Sequence, residues 1–232
     1  MSSQLKYWFL HDHKLFKSLS FSEIDALCIL KKFQKSKKSE IIELPQSDKE
    51  RIFFLKKGSL KLIRLTEEGD EILQDIIQKG DIFGEIGLEK NNAESEFIKV
   101  VSEEAILCTF YRDKLEEIML QKPDFALTYI KFMGFQFNKI QNSYKNIFFK
   151  DAKSRLILFL VSLIEKEEKI SSSFVIPNFL TQKDIAQLIC TTRQTVISLM
   201  NELHKEQLIE YIDKNIIISD VEKIKKLAEN VK

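Results

Sequence analysis

The stretch at residues 180–204, LTQKDIAQLICTTRQTVISLMNELH, decides the fold of the C-terminal part of the chain. Thr181 followed by Asp184 has the spacing of a capping box, with aspartate in place of the usual glutamate or glutamine. Apolar residues recur at helical spacing on both sides of a break at Cys190, and Thr192 can cap the second helix. Two short helices joined by a tight turn are typical of a helix-turn-helix, whose second helix enters the major groove of DNA.

The outward side of the second helix carries residues that can read bases. Arginine pairs in a bidentate manner with guanine, and glutamine pairs in the same manner with adenine. The predicted base contacts are Arg193, Gln194, Ile197 and Ser198. Neighbouring side chains suit phosphate binding, and the predicted phosphate contacts are Thr181, Gln182, Lys183, Thr191 and Thr195. A plain helical hairpin with a solvated polar face is the alternative interpretation.

Two apolar runs within residues 208–219 flank the polar turn Asp213-Lys214-Asn215. This pattern predicts two short strands, which would form the wing of a winged helix. The wing weakens the alternative of a plain helical hairpin. Upstream, residues 151–168 predict an amphipathic helix and residues 169–173 a polar connector. From about Phe174 the predicted order is strand, helix, helix, strand–turn–strand and helix.

The N-terminal half predicts mostly strands. Five of the six glycines lie between Gly58 and Gly87, where turns are expected to crowd. Helix is predicted over residues 1–32 and a hairpin turn at residues 67–70. Strands are predicted at residues 51–55, 59–65, 71–77, 97–101 and 105–111. Short strands at this spacing predict an antiparallel sandwich or roll.

A short helix at residues 112–121 precedes a longer helix that Pro123 can begin. Apolar residues on the longer helix alternate in steps of four and three, and the predicted seam comprises Ala126, Ile130, Met133, Phe137, Ile140 and Tyr144. Such a seam predicts pairing with a helix of a second subunit, although burial against the chain's own domain is the alternative. Phe125, Phe132 and Phe135 add apolar surface, so we expect one face on the sheet and one on a second subunit.

Composition restricts the class of protein. A chain of 232 residues suits two domains, and 36 basic against 35 acidic residues neither demand nor exclude nucleic acid. No apolar run approaches the roughly 18 residues of a membrane span. The N-terminus lacks the features of a secretory signal. We therefore expect a cytoplasmic protein without membrane contact.

No sequence pattern predicts an enzyme, a metal or a cofactor. The three cysteines, Cys28, Cys108 and Cys190, lie far apart, which predicts small buried side chains. His11 and His13 lack a third ligand and are predicted to be a surface pair. The chain carries no Ser-His-Asp set, metal triad or phosphate loop of the G-x-x-x-x-G-K type.

Residues 180–203 and the wing resemble the DNA-binding domain of the cyclic-AMP receptor protein and fumarate-nitrate regulator (Crp/Fnr) family. The stretch at residues 80–88, GDIFGEIGL, resembles that family's phosphate-binding cassette. The resemblance implies an α+β chain with a cyclic-nucleotide-binding-type β-roll at residues 1–121, a dimerisation helix at 122–149 and a winged helix-turn-helix at 150–232. It further implies a homodimer that binds near-palindromic DNA sites and works with RNA polymerase.

The chain departs from the family pattern in the cassette. In members that bind nucleotides, a glutamate holds the ribose and an Arg-Ser pair neutralises the phosphate; here Glu85 matches, but the pair aligns with Glu94-Ser95. At about 4 Å, like charges repel by roughly 4 kcal/mol, or about three decades of affinity. The predicted remnant of the effector pocket comprises Gly84, Glu85, Ile86, Glu94, Ser95, Ile140 and Gln141. We therefore expect no control by cyclic AMP, and the roll binds another, unknown effector or none.

The reading helix departs from the family as well. The cyclic-AMP receptor protein carries Arg, Glu and a second Arg, where this chain has Arg193, Gln194 and Ser198. Cys190 replaces the turn glycine, which predicts a slightly different turn. The alternative function is a sensor of an unknown small ligand whose winged helix binds a protein partner.

Overall fold

The computed structural model describes residues 10–27, 34–42, 51–84, 96–164, 173–176, 179–212 and 215–229. It divides into two compact units, Met1–Phe137 and Asn138–Lys232. The division falls inside the long helix, so the three segments expected from the sequence stay a prediction. No helix of the described residues is long and apolar enough to cross a membrane.

The described strands of the first unit are β1 (Gln34–Lys37), β2 (Ile41–Ile42), β3 (Arg51–Lys57), β4 (Ser59–Leu65), β5 (Glu71–Gln78), β6 (Ile82–Gly84), β7 (Glu96–Val100) and β8 (Glu104–Tyr111). They form two antiparallel sheets of four strands, in the orders β1-β8-β3-β6 and β2-β7-β4-β5. Its helices are α1 (Phe21–Leu27), α2 (Arg112–Gln121) and the first part of α3 (Pro123–Phe149). The predicted roll is therefore confirmed.

Alternation along the strands gives the first unit two apolar layers. Between the sheets lies a core of Leu55, Leu60, Ile77, Ile98, Val100 and Leu107. The other face of β3 and β8 packs against the N-terminal segment and helices through Phe16, Phe54, Phe110, Leu115 and Phe125. Gly58 joins β3 to β4 with a φ of +94°, and a side chain there would collide with the carbonyl oxygen of Glu104.

Of the helix predicted over residues 1–32, the described residues are helical at 10–11 and 21–27 but not between them. Residues 12–20 form turns, held by bonds such as Phe16 N–H to the His13 carbonyl at 3.0 Å. Helix α1 restarts at a capping box in which the Ser20 amide donates to the Glu23 carboxylate at 2.7 Å. That Ser-x-x-Glu pattern was visible in the sequence and predicts such a start.

His13 is half-buried, whereas a surface position was expected. Its ring packs against the rings of Phe16, Phe54 and Phe132, with centroid distances of 5.7, 5.1 and 5.9 Å. Burial lowers the pKa of His13, and the Gly80 backbone and the Asp81 charge oppose that shift. Within the described residues, no group of three or more His, Cys, Asp or Glu could hold a metal ion.

The second unit follows the predicted order of elements. After the end of α3 come α4 (Ala152–Ile164), β9 (Phe174–Ile176), α5 (Gln182–Leu188), α6 (Arg193–Lys205), β10 (Ile209–Ile212), β11 (Asn215–Ile218) and α7 (Val221–Glu229). The strands form an antiparallel sheet in the order β10-β11-β9. Its core is apolar and includes Leu156, Leu160, Ile185, Val196, Met200, Leu203, Ile218 and Ile224. The predicted end of α4, residues 165–168, and most of the connector lie outside the described residues.

Candidate DNA-binding interface

The predicted capping box at the start of α5 is confirmed. The Thr181 hydroxyl oxygen accepts from the Asp184 amide at 3.1 Å, and the Thr181 amide donates to the Asp184 carboxylate at 2.7 Å. The Thr181 hydroxyl proton also goes to that carboxylate, at 2.6 Å. Both donors of Thr181 are thus used inside the box, so a phosphate contact by this residue requires the box to open.

The turn between α5 and α6 keeps a glycine-like shape without glycine. Cys190 has a φ of +53°, in the left-handed region that costs a side-chain-bearing residue about 1–2 kcal/mol. Its amide donates to the Gln187 carbonyl at 3.2 Å, and the Thr191 amide donates to the Ala186 carbonyl at 2.9 Å. Cys190 is exposed, so its prediction as a buried side chain was wrong, whereas Cys108 is buried as expected.

Helix α6 begins at a threonine cap and separates two faces. The Thr192 hydroxyl accepts from the Thr195 amide at 3.1 Å, and the two threonine hydroxyls bond to each other at 2.8 Å. The inward residues Val196, Met200 and Leu203 are fully buried. The outward residues Arg193, Gln194 and Ser198 are exposed, and Ile197 is half-buried.

The predicted base contacts therefore share the first two turns of one exposed helix face. Within the described part of the chain, neither Arg193 nor Gln194 makes a hydrogen bond or an ion pair through its side chain. Lys183 is exposed at the start of α5, while Gln182, Thr191 and Thr195 are half-buried. This surface offers a guanidinium, an amide and an ammonium group to a ligand.

Helix α4 forms ion pairs with the recognition helix α6 that were not predicted from the sequence. Lys153 bonds to Glu202 at 2.7 Å and to Glu206 at 3.1 Å, and these bonds, led by Glu202, raise the pKa of Lys153. Asp151 caps α4 by accepting from the Ser154 amide at 2.7 Å, which lowers the pKa of Asp151. The Asp-x-x-Ser spacing is a signal that could have placed this helix start.

The wing, formed by β10 and β11, is hydrogen-bonded to the end of α6. Strands β10 and β11 pair from Ile209–Ile218 to Ile212–Asn215, with residues 213 and 214 outside the described residues. His204 bonds through Nδ1 to the Ile209 carbonyl at 2.9 Å, which assigns the proton to that nitrogen because a carbonyl only accepts. The rings of His204 and Tyr211 pack in a T-shaped arrangement, with their centroids 5.2 Å apart.

The predicted seam on α3 is exposed on the single chain. The exposed fractions are 64% for Ile130, 39% for Met133, 60% for Phe137, 55% for Ile140 and 60% for Tyr144, and Ala126 is half-buried. The exposed Leu127 and Phe148 widen this surface beyond the residues predicted. Phe125 and Phe132 pack on the first unit as expected. Phe135, which was expected on the same face, is 57% exposed.

Two family models match this chain in the order of its two units. A cyclic nucleotide-binding domain matches residues 34–122, and a Crp-like helix-turn-helix domain matches residues 154–227. Together the matched ranges cover well over half of the chain.

The chain belongs to the Crp/Fnr family. The Global nitrogen regulator of Nostoc sp. is 25% identical over 183 residues, which cover 78% of this chain and 82% of that protein. The cAMP-activated global transcriptional regulator CRP of Pasteurella multocida is 25% identical over 170 residues, which cover 73% and 81%. A CooA variant from Carboxydothermus hydrogenoformans has the same fold, with a TM-score of 0.65 at 24% identity and coverage of 93% and 94%.

This Crp/Fnr protein is accordingly a DNA-binding transcription regulator. Of its predicted effector residues, Gly84 ends β6 with a φ of +114°, and a side chain there would collide with the carbonyl oxygen of Arg51. Ile140 and Gln141 are exposed on α3. Glu85, Ile86, Glu94 and Ser95 lie outside the described residues.

Proposed function

We propose that this Crp/Fnr regulator binds a near-palindromic DNA site as a homodimer, with α6 of each subunit in the major groove. The observation that carries the proposal is the exposed face of α6, where the side chains of Arg193 and Gln194 have no partner among the residues that the structure describes. Arg193 reads a guanine and Gln194 an adenine, each by two hydrogen bonds. Ile197 and Ser198 contact the same groove one turn later.

Phosphate contacts position the winged helix-turn-helix on the duplex. Lys183 supplies the main charge, because it is exposed and lies at the start of α5. Gln182, Thr191 and Thr195 contribute hydrogen bonds of the kind that hold phosphates without reading sequence. Thr181 contributes least, since both of its donors are engaged with Asp184.

The seam on α3 makes the dimer. Ile130, Phe137 and Ile140 expose apolar surface at heptad spacing, and burial of such surface drives helix pairing. Two paired reading helices bind half-sites about 34–36 Å apart, which is one turn of DNA.

The N-terminal unit does not answer to cyclic AMP. The support is the alignment of Glu94 with the arginine that neutralises the cyclic phosphate in nucleotide-binding members. Any effector is a different small molecule. The proposal includes RNA polymerase as a partner and a cytoplasmic location, since a bacterial regulator acts where the chromosome is.

Selection of bound DNA from a random pool tests the DNA proposal. We expect a palindromic consensus and, for Arg193→Ala, a loss of about 1–3 kcal/mol on the selected site with relaxed choice at one base position. Lys205→Ala is the control, because Lys205 is exposed at the far end of the same helix. If Arg193→Ala binds every sequence as well as the wild type does, the winged helix serves a protein partner instead.

Calorimetry with cyclic AMP and cyclic GMP tests the effector proposal. We expect no heat of binding at micromolar concentrations. Clear micromolar affinity for either nucleotide would overturn the charge argument at Glu94 while leaving the DNA proposal intact.

A further inference from the structure

Arg155 on α4 joins two other elements of the C-terminal unit. Its Nη1 donates to the carbonyl of Ile147 at 3.0 Å, and its Nη2 donates to the carbonyl of Cys190 at 3.2 Å. Its Nε is buried and has no hydrogen-bond partner within the described ranges of the chain. One planar group therefore bridges the end of α3 and the turn of the helix-turn-helix.

Both carbonyls are groups that their own elements leave open. Ile147 lies in the last turn of α3, where carbonyls lack an intrahelical partner and the helix dipole favours a cation. Cys190 lies three residues before the start of α6. The amides of Cys190 and Thr191 bond to carbonyls of α5 and so connect the turn to that helix. The carbonyl of Cys190 accepts from Arg155, which connects the same turn to α3.

A second cation on α4 provides a comparison. Lys153 bonds to Glu202 and Glu206, both in the second half of α6 or just beyond it. Lys153 therefore stabilises the packing of α4 on α6 without touching α3. Arg155 differs in reaching α3, and its planar guanidinium holds its two carbonyl partners in a more rigid geometry than an ammonium group would.

We propose that Arg155 is a positioning residue that sets the orientation of the reading helix relative to the end of α3. The inference rests on the proposed function, in which α3 pairs the subunits and α6 reads DNA. In the proposed dimer, α3 of one subunit pairs with α3 of the other. Arg155 connects α3 of each subunit to the turn that precedes α6, so it fixes the distance between the two copies of α6. Arg155 thereby determines which half-site spacing the dimer accepts.

The test measures affinity against the spacing of the two half-sites. The selected operator is prepared with its half-sites moved apart or together by one and two base pairs, and full-length wild type, Arg155→Lys, Arg155→Gln and the control Lys153→Gln are titrated on each duplex. We expect the wild type to prefer one spacing by at least about tenfold, the value of one hydrogen bond to a charged group. Arg155→Lys keeps the charge but loses the two-point geometry, so its preference falls below about threefold.

The control and the salt dependence separate positioning from other roles. Lys153→Gln lowers the melting temperature but keeps the spacing preference of the wild type. The slope of DNA affinity against salt concentration should stay unchanged in Arg155→Lys, which keeps the charge. In Arg155→Gln the slope falls by about one ion only if Arg155 contacts a DNA phosphate. An unchanged spacing preference in Arg155→Lys, or that fall in slope, would overturn the proposal. If the wild type binds no duplex, the proposed function itself fails.

Discussion

Replacement of Phe137 by alanine tests whether the seam on α3 holds two subunits together. Phe137 is 60% exposed on the single chain, and full burial of a phenylalanine contributes about 1.5–3 kcal/mol. Burial of the exposed part in a dimer therefore contributes about 1–2 kcal/mol per subunit and about 2–4 kcal/mol per dimer. Phe137→Ala should raise the dimer Kd by about 30-fold to 1,000-fold.

Sedimentation equilibrium over a concentration series measures this change. Phe135→Ala is the matched control, because Phe135 lies on the same helix with 57% exposure but faces away from the seam. The two variants remove the same atoms and gain the same helix propensity. We expect Phe135→Ala to change the Kd by less than about threefold. An equal or larger effect of Phe135→Ala would refute the assignment of the seam.

Three further outcomes are expected. Cys190→Val should lower the free energy of unfolding by at least about 1 kcal/mol relative to Cys190→Gly in thermal denaturation, because a β-branched residue fits the φ of +53° poorly and glycine fits it well; equal stabilities would contradict the left-handed turn. Thr181→Ala removes the cap of α5, so it should lower the free energy of unfolding by about 1 kcal/mol and weaken DNA binding equally on all sequences. Mobility shifts on several DNA sequences, with Thr192 left unchanged, measure the loss of binding. Stability of the N-terminal unit should fall as pH drops below 6.5, because the unfolded chain then protonates His13 while the folded state, with its lowered pKa, does not; Lys14 and Asp81 are the charges that face His13, and His13→Phe should flatten the melting temperature between pH 7.5 and pH 5.5.

The elements that the sequence predicted well are those with local signals. The capping box of Thr181 and Asp184 brackets a helix by spacing alone, and the apolar positions of α6 follow its period. The roll followed from glycines and short apolar runs. The short strand β1 was missed because Gln34–Lys37 is polar and buries only Ser36, so its pairing with β8 decides its structure.

The features that were missed depend on residues far apart in the chain. The bond from Arg155 to Cys190 spans 35 positions, and the bond from Lys153 to Glu202 spans 49, so no local pattern predicts either. Phe132 and Phe135 illustrate the same limit. They lie one turn apart and look equivalent in the sequence, yet Phe132 packs on the first unit and Phe135 is exposed.

The seam also restricts how a ligand can control this regulator. In the proposed dimer, burial of Ile130, Phe137 and Ile140 between two copies of α3 itself drives pairing. A ligand shifts an equilibrium only by the difference in its affinity for two states, and a seam that contributes several kcal/mol leaves few monomers to act as the second state. In the proposed dimer, an effector would then act by changing the orientation of the two recognition helices. The bond from Arg155 to the Cys190 carbonyl connects α3 to the helix-turn-helix. Arg155→Lys should therefore abolish the effect of an effector on DNA binding, at a protein concentration where the variant still binds DNA.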